Sequence, residues 1–197
     1  ETSPVVSCNS IEDIRVETVG KPFEGNLIKI ADDGEILVKG ENVMLGYWKN
    51  EEETNRVLKD GWLYTGDIGE IDKGFLKITD RKKDIIITPG GDNISPIKIE
   101  NDLNKSDFIE QSLVYGDNKP YLVSLIVLNQ NYIDITEEQM QQEIDKINKN
   151  LSKIEKIKKF LIIKDQFTIE NNMMTPTLKL KRYKIIKNYQ KEFEKLF

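Results

Sequence analysis

The chain predicts an α+β protein, in which a small β-rich subdomain is followed by a compact α+β domain. Three observations predict it. The first eighty or so residues alternate short apolar runs with turn dipeptides, a pattern of hairpins. After Asp80 helix-start signals alternate with β-branched runs, which places a boundary near residues 80–84. Over 197 residues, 38% hydrophobic and 32% charged side chains suit a soluble globular chain of one or two domains with a real core.

Each element has a local cause. Asn26–Ala31 and Glu35–Lys39 flank Asp32-Asp33-Gly34, and Asp67–Ile71 and Phe75–Thr79 flank Asp72-Lys73-Gly74, both hairpin signals. Between them Asn50 is placed to cap a short helix over Glu51–Leu58, stopped by Asp60-Gly61. Asp84–Thr88 is β-branched. Ser95-Pro96 supplies an N-cap and a proline at the first helical position, for a helix to about Leu103. Ser112–Tyr115, Tyr121–Leu128 and Phe160–Lys164 are expected strands. Thr136-Glu-Glu-Gln139 forms a capping box, and Met140, Ile144, Ile147, Leu151, Ile154 and Ile157 follow at spacings of three and four, so a long amphipathic helix should pack on the sheet. Arg182–Phe197 predicts a last helix with Ile186, Tyr189, Phe193 and Leu196 along one face.

Composition excludes several chemistries. The chain has no histidine, so a Ser-His-Asp triad, a Cys-His dyad, an imidazole metal site and a histidine base are all ruled out. Its single cysteine, Cys8, has no internal disulfide partner and no zinc-binding companion. A net charge of −5 disfavours a general nucleic-acid binder. No apolar run approaches the roughly 20 residues of a membrane span, and no secretory signal pattern opens the chain. The expected setting is intracellular, cytoplasmic or peripheral on the cytoplasmic face of a membrane.

Chemistry must therefore run on carboxylates, Lys, Arg, hydroxyls and backbone amides. Asp67 follows Tyr64-Thr65-Gly66 in a turn, where its carboxylate can accept both hydroxyls of a ribose or, equally, close an Asx turn on its own backbone. Arg81 can present its fork to ribose or phosphate oxygens, beside Lys82 and Lys83, which by themselves suit a solvated charge pair. Gly90-Gly91 permits close backbone approach or a simple turn. Lys179 lies in a lysine-rich stretch that alone would be a solvated patch.

Taken together, Gly61-Trp-Leu-Tyr-Thr-Gly-Asp67, Asp80-Arg-Lys-Lys-Asp84 and the Gly90-Gly91 loop resemble the late core motifs of the adenylate-forming, AMP-binding enzyme superfamily. Gly40–Thr54, with Gly46-Tyr47-Trp48, is similar to that superfamily as well. Thr175-Pro-Thr-Leu-Lys-Leu-Lys-Arg182 resembles the final motif of the long-chain fatty acyl-CoA synthetases, with Thr177-Leu178 where the general consensus has Ser-Gly.

The resemblance implies roles. Asp67 and Arg81, with Tyr64 and Thr65, bind ATP or AMP. Lys83 is a hinge at residues 81–83 between the end of a large domain (1–80) and a small mobile domain (84–197). Gly90 and Gly91 line the tunnel for CoA. Lys179 is the catalytic lysine, and Glu1, the tail of a Tyr-Gly-x-Thr-Glu motif, helps bind Mg²⁺. The superfamily's phosphate loop, acid tunnel and most of its adenine pocket precede these motifs, so the implied partner is an upstream N-terminal domain of the same enzyme. The implied reaction joins fatty acid, ATP and CoA into acyl-CoA, AMP and pyrophosphate through an acyl-adenylate, and the isolated chain is expected to be inactive. Two alternatives stand beside it. One is a ligase for short-chain or aryl acids or a peptide-synthetase adenylation domain, and the other is a non-catalytic binding or regulatory module.

Overall fold

Two short strands, β1 (Ser7–Cys8) and β2 (Lys21–Pro22), pair antiparallel at the start of the chain in the computed structural model, which describes residues 1–197. Those residues fold as two units, Glu1–Lys83 and Asp84–Phe197.

The first unit is built from hairpins. β3 (Leu27–Ile30) turns into β4 (Glu35–Lys39) through Gly34, at φ +85°. Helix α1 (Glu51–Val57) is capped by the Asn50 side chain, which accepts the Glu53 N–H. Asp60-Gly61, expected as a helix stop, proves to be a two-residue hairpin turn between β5 (Leu58–Lys59) and β6 (Trp62–Asp72). Both residues have positive φ, as a type I′ turn requires. Lys73-Gly74 repeats that geometry between β6 and β7 (Phe75–Arg81). The sheet order is β3-β4-β6-β5, with β7 also paired to β6. Ile36, Val38 and Leu76 form its buried core, with Val6, Ile28, Ile30 and Val43 against them.

A 3-10 turn, Lys82–Asp84, leads into the second unit. There β8 (Ile86–Ile87) pairs with β9 (Asn93–Ile94), and Ser95 caps α2 (Pro96–Leu103) with proline at its start. β10 (Ile109–Tyr115) and β11 (Leu122–Leu128) are antiparallel. β12 (Ile157–Ile163) is parallel to β11 after a crossover through α3 (Glu137–Asn148). Alternation along β11 feeds two cores: Leu122 and Ile126 join Ile99, Leu103, Met140 and Ile144, whereas Val123, Leu125 and Val127 join Phe167, Ile185 and Phe193.

Two helices differ from expectation. α3 ends at Asn148, and Leu151, Ile154 and Ile157 lie beyond it. Leu151 and Ile157 still enter the core that holds Met140 and Ile144, so the apolar period outlasts the helix that began it. The C-terminal helix is broken at Tyr189 into α4 (Arg182–Asn188) and α5 (Gln190–Leu196). Its expected face nonetheless packs on one core, with Phe193 buried and Ile186, Tyr189 and Leu196 against it. No helix is long and apolar enough to cross a membrane.

Candidate functional site

The ladder between β4 and β6 loses register around Thr65–Asp67: Leu37 faces Tyr64, whereas Glu35 already faces Ile68. Gly66 takes up this bulge at φ +70°, and a bulge of this kind re-aims the side chains beside it. Thr65 fixes the turn from both sides, since its hydroxyl donates to the Ile36 carbonyl at 2.7 Å and accepts the Asp67 N–H at 3.1 Å.

Asp67 is the register partner of Arg81 across β6 and β7, and their side chains meet at 2.8 Å between Nε and Oδ1. The two residues singled out for ribose are therefore adjacent. Arg81 keeps 53% of its side chain exposed and Asp67 25%, so the pair is open to a ligand.

A cleft of about 600 Å³ is lined by Glu1, Tyr64, Thr65, Gly66, Arg81 and Lys83, among others. Asp67 instead lines an adjoining hollow of about 340 Å³ with an apolar wall of Val6, Ile36, Leu63 and Ile78. Glu1, Thr65 and Arg81 border both, which joins the two into one candidate site. Tyr64 has the Lys59 ammonium 5.1 Å from its ring centre.

Glu1 is held in place. Its carbonyl accepts the Met44 N–H at 2.8 Å, the next carbonyl, of Thr2, accepts from Asn42 at 2.9 Å, and its carboxylate accepts from the Tyr47 hydroxyl. The hydrogen bond that the Tyr47 phenol donates to this carboxylate, which only the neutral phenol can make, pushes the phenol up to about 12, with desolvation and the carboxylate's charge acting in the same direction. One contact uses Oε1, so a second oxygen remains for a cation. Mg²⁺ usually takes one or two carboxylates and completes its shell with water and phosphate, which suits this donor set.

The lysine pair beside Arg81 divides into two roles. Lys82 donates to Asp33 at 2.6 Å and to the buried Glu35 at 2.8 Å, and Glu35 also accepts the Gly66 N–H at 2.8 Å. Lys82 thus braces the bulge from beneath, while Lys83 is exposed at the end of the first unit. Burial of Glu35 had no sequence signal; it follows from the bulge.

In the second unit, Gly90 and Gly91 form the turn between β8 and β9. Gly91 donates to the Thr88 carbonyl at 2.9 Å with φ +87°, so this position requires a residue at ease in left-handed backbone. Both glycines are exposed.

Lys179 sits on a narrow hairpin. The Thr175 N–H donates to the Lys179 carbonyl at 2.8 Å, Lys179 N–H donates to the Thr175 hydroxyl at 3.0 Å, and Lys181 N–H donates to the Met173 carbonyl at 2.8 Å. Leu178 lies at φ +60°, a left-handed position that glycine fills more readily. The Lys179 side chain is exposed.

Sequence reasoning missed the anchor of this hairpin. Arg182 donates to Glu100 at 2.6 Å and to the Val114 carbonyl at 2.6 Å. Arg182 closes the motif that begins at Thr175, but nothing in the string marks Glu100.

Residues 83–197 match the family described as AMP-binding enzyme C-terminal domain. Long-chain-fatty-acid–CoA ligase FadD15 of Mycobacterium bovis is 37% identical over 100% of this chain and 36% of its own length. Long-chain-fatty-acid–CoA ligase 5 of Mus musculus is 35% identical over 91% of the chain and 31% of its own. Among solved structures, O-succinylbenzoate coenzyme A synthetase from Bacillus subtilis in complex with AMP matches at a TM-score of 0.71 and 30% identity, over 87% of this chain and 35% of that one. An ATP-bound RpMatB–BxBclM chimera matches at 0.80 and 25% identity, over 95% and 39%. The chain spans about a third of the length of the relatives it matches.

Proposed function

The chain belongs to the AMP-binding enzyme family, and from that membership we propose that it is the carboxy-terminal portion of a long-chain fatty acid–CoA ligase. The observation that carries the reading is the convergence of Glu1, Thr65, Asp67 and Arg81 on one open site in the first unit. The choice of a long-chain acid rests on the names of the relatives above 30% identity and on Thr177-Leu178 before Lys179.

Asp67 accepts the ribose hydroxyls of ATP, and Arg81 donates to the sugar or phosphate oxygens beside it. Glu1 holds Mg²⁺, which when bound would neutralise phosphate charge. An upstream domain supplies the phosphate loop and the acid pocket. In the first half-reaction the fatty acid carboxylate attacks the α-phosphorus, pyrophosphate leaves, and the Lys179 ammonium stabilises negative charge developing on the oxygens without transferring a proton. In the second, the thiol of CoA attacks the acyl carbon and AMP leaves, with the Gly90-Gly91 turn beside the pantetheine. Lys83 is the joint about which the second unit changes position between the two steps.

The test is a pair of half-reactions in the complete enzyme. Lys179→Ala should lower acyl-adenylate formation by about 10²–10³-fold, the usual cost of one oxyanion-type donor. Conversion of supplied acyl-adenylate and CoA to acyl-CoA should persist. Equal loss of both rates would remove Lys179 from its role.

A further inference from the structure

Val114 lies on β10, an edge strand of its three-stranded sheet, where outward backbone groups lack a strand partner. Two side chains take that place. The Val114 N–H donates to Glu100 Oε1 at 2.6 Å, and the Val114 carbonyl accepts from Arg182 Nη2 at 2.6 Å. Arg182 Nη1 closes the ring on Glu100 Oε1 at 2.6 Å. Glu100 is buried, with 8% of its side chain exposed, and Arg182 is mostly covered, at 10%.

The ring sits where the Lys179 hairpin joins the fold. Arg182 is the first residue of α4, which has no side-chain cap, and it follows directly on Lys181, whose N–H closes the hairpin base on Met173. A buried ion pair contributes little stability beyond what packed apolar groups would give, so stability alone is a weak reason for this one. Directionality is a stronger one. The planar guanidinium fixes two acceptors on two different elements, α2 and β10, which a lysine ammonium cannot do with the same geometry.

We propose that Glu100 and Arg182 are positioning residues for Lys179. They fix the base of the 173–181 hairpin against α2 and β10, and so set where the Lys179 ammonium projects. This rests on the reading of Lys179 as the residue that serves acyl-adenylate formation.

The experiment measures both half-reactions of the complete enzyme in Arg182→Lys, Glu100→Gln and Lys179→Ala, with circular dichroism melting to follow the fold. A misplacement of about 1 Å can cost up to about 10²-fold, so Arg182→Lys should lower kcat for adenylate formation by about tenfold or more. The KM for ATP and the thioester-forming rate should stay within about twofold, because neither depends on where Lys179 projects. Glu100→Gln keeps an acceptor for the Val114 N–H and should show a milder, equally selective loss of about threefold. If Arg182→Lys does not fold, Glu100→Gln decides by that selectivity. Parallel loss of both half-reactions, or no loss in either, overturns the positioning role. Should Lys179→Ala itself spare adenylate formation, the reading of Lys179 fails first and the positioning role falls with it; a selective Lys179→Ala effect beside unselective pair variants overturns the positioning role alone.

Discussion

Lys82 shows how far one residue's role depends on where its neighbours fold. Its ammonium lies between Asp33 and the buried Glu35, and Glu35 holds the Gly66 N–H of the bulge that aims Asp67. The Lys82 ammonium, then the Glu35 N–H, hold the Asp33 carboxyl below its ordinary value, and Asp33 and Glu35 in turn hold Lys82 above its own. The signs define a window. A depressed carboxyl contributes stability above about pH 3.9 that is lost as pH falls through the folded value, and a raised ammonium contributes below about pH 10.4 what is lost as pH rises through its folded value. The brace is therefore intact at neutral pH. Because Lys82 and Asp33 are about half exposed, their pair should contribute no more than about 1 kcal/mol. Lys82→Met should raise the Asp33 midpoint toward the ordinary carboxylate range in an NMR titration of side-chain carboxyls, with the Glu35 N–H still holding it partly down. An unmoved midpoint would show that Lys82 does not hold Asp33 in solution.

At the scale of elements, whatever had a local cause was legible. Asn50, Ser95-Pro96 and Thr136 each start a helix because one side chain meets one nearby N–H, and a string of letters shows that. Thr136 has the complete reciprocal arrangement, with the Gln139 side chain accepting its N–H at 2.9 Å and the Thr136 hydroxyl accepting from Gln139 at 3.2 Å. Thr136→Ala should cost about 1 kcal/mol, read as a lower denaturant midpoint of the second unit, while Thr136→Ser should cost little. Equal loss from both would remove the hydroxyl as the cause. Where helices end was less legible. Leu151 and Ile157 continue the apolar period of α3 because the same core receives them, although Asn148 brackets Ile157 through bonds of 2.9 Å to both its N–H and its carbonyl as β12 begins. Periodicity reports which side chains share a core, not which backbone conformation delivers them. The site divides the same way: motif strings mark Asp67, Arg81 and Lys179, whereas Glu35 and Glu100 act through contacts 31 and 82 positions distant in sequence.

On the scale of the whole molecule, Lys83 closes the first unit and Asp84 opens the second. Each unit has its own buried core, so a change at the joint need not disturb either. Lys83 lies within a 3-10 turn, whose φ near −60° is one a proline ring adopts. Proline also pushes the residue before it out of the helical region, and that residue is Lys82, which belongs to the same 3-10 turn and is tied to two carboxylates. Lys83→Pro should therefore strain this turn, leave the two cores in place, and remove backbone freedom where a rotation between half-reactions would occur. If the second unit must turn at this joint, the variant enzyme will favour one arrangement. One half-reaction should fall by about tenfold or more while the other stays within about twofold, with both units still folded by circular dichroism. If both rates stay at the wild-type level, rotation does not pass through Lys83. If both fall together while the fold holds, the joint has a role other than switching between the two steps.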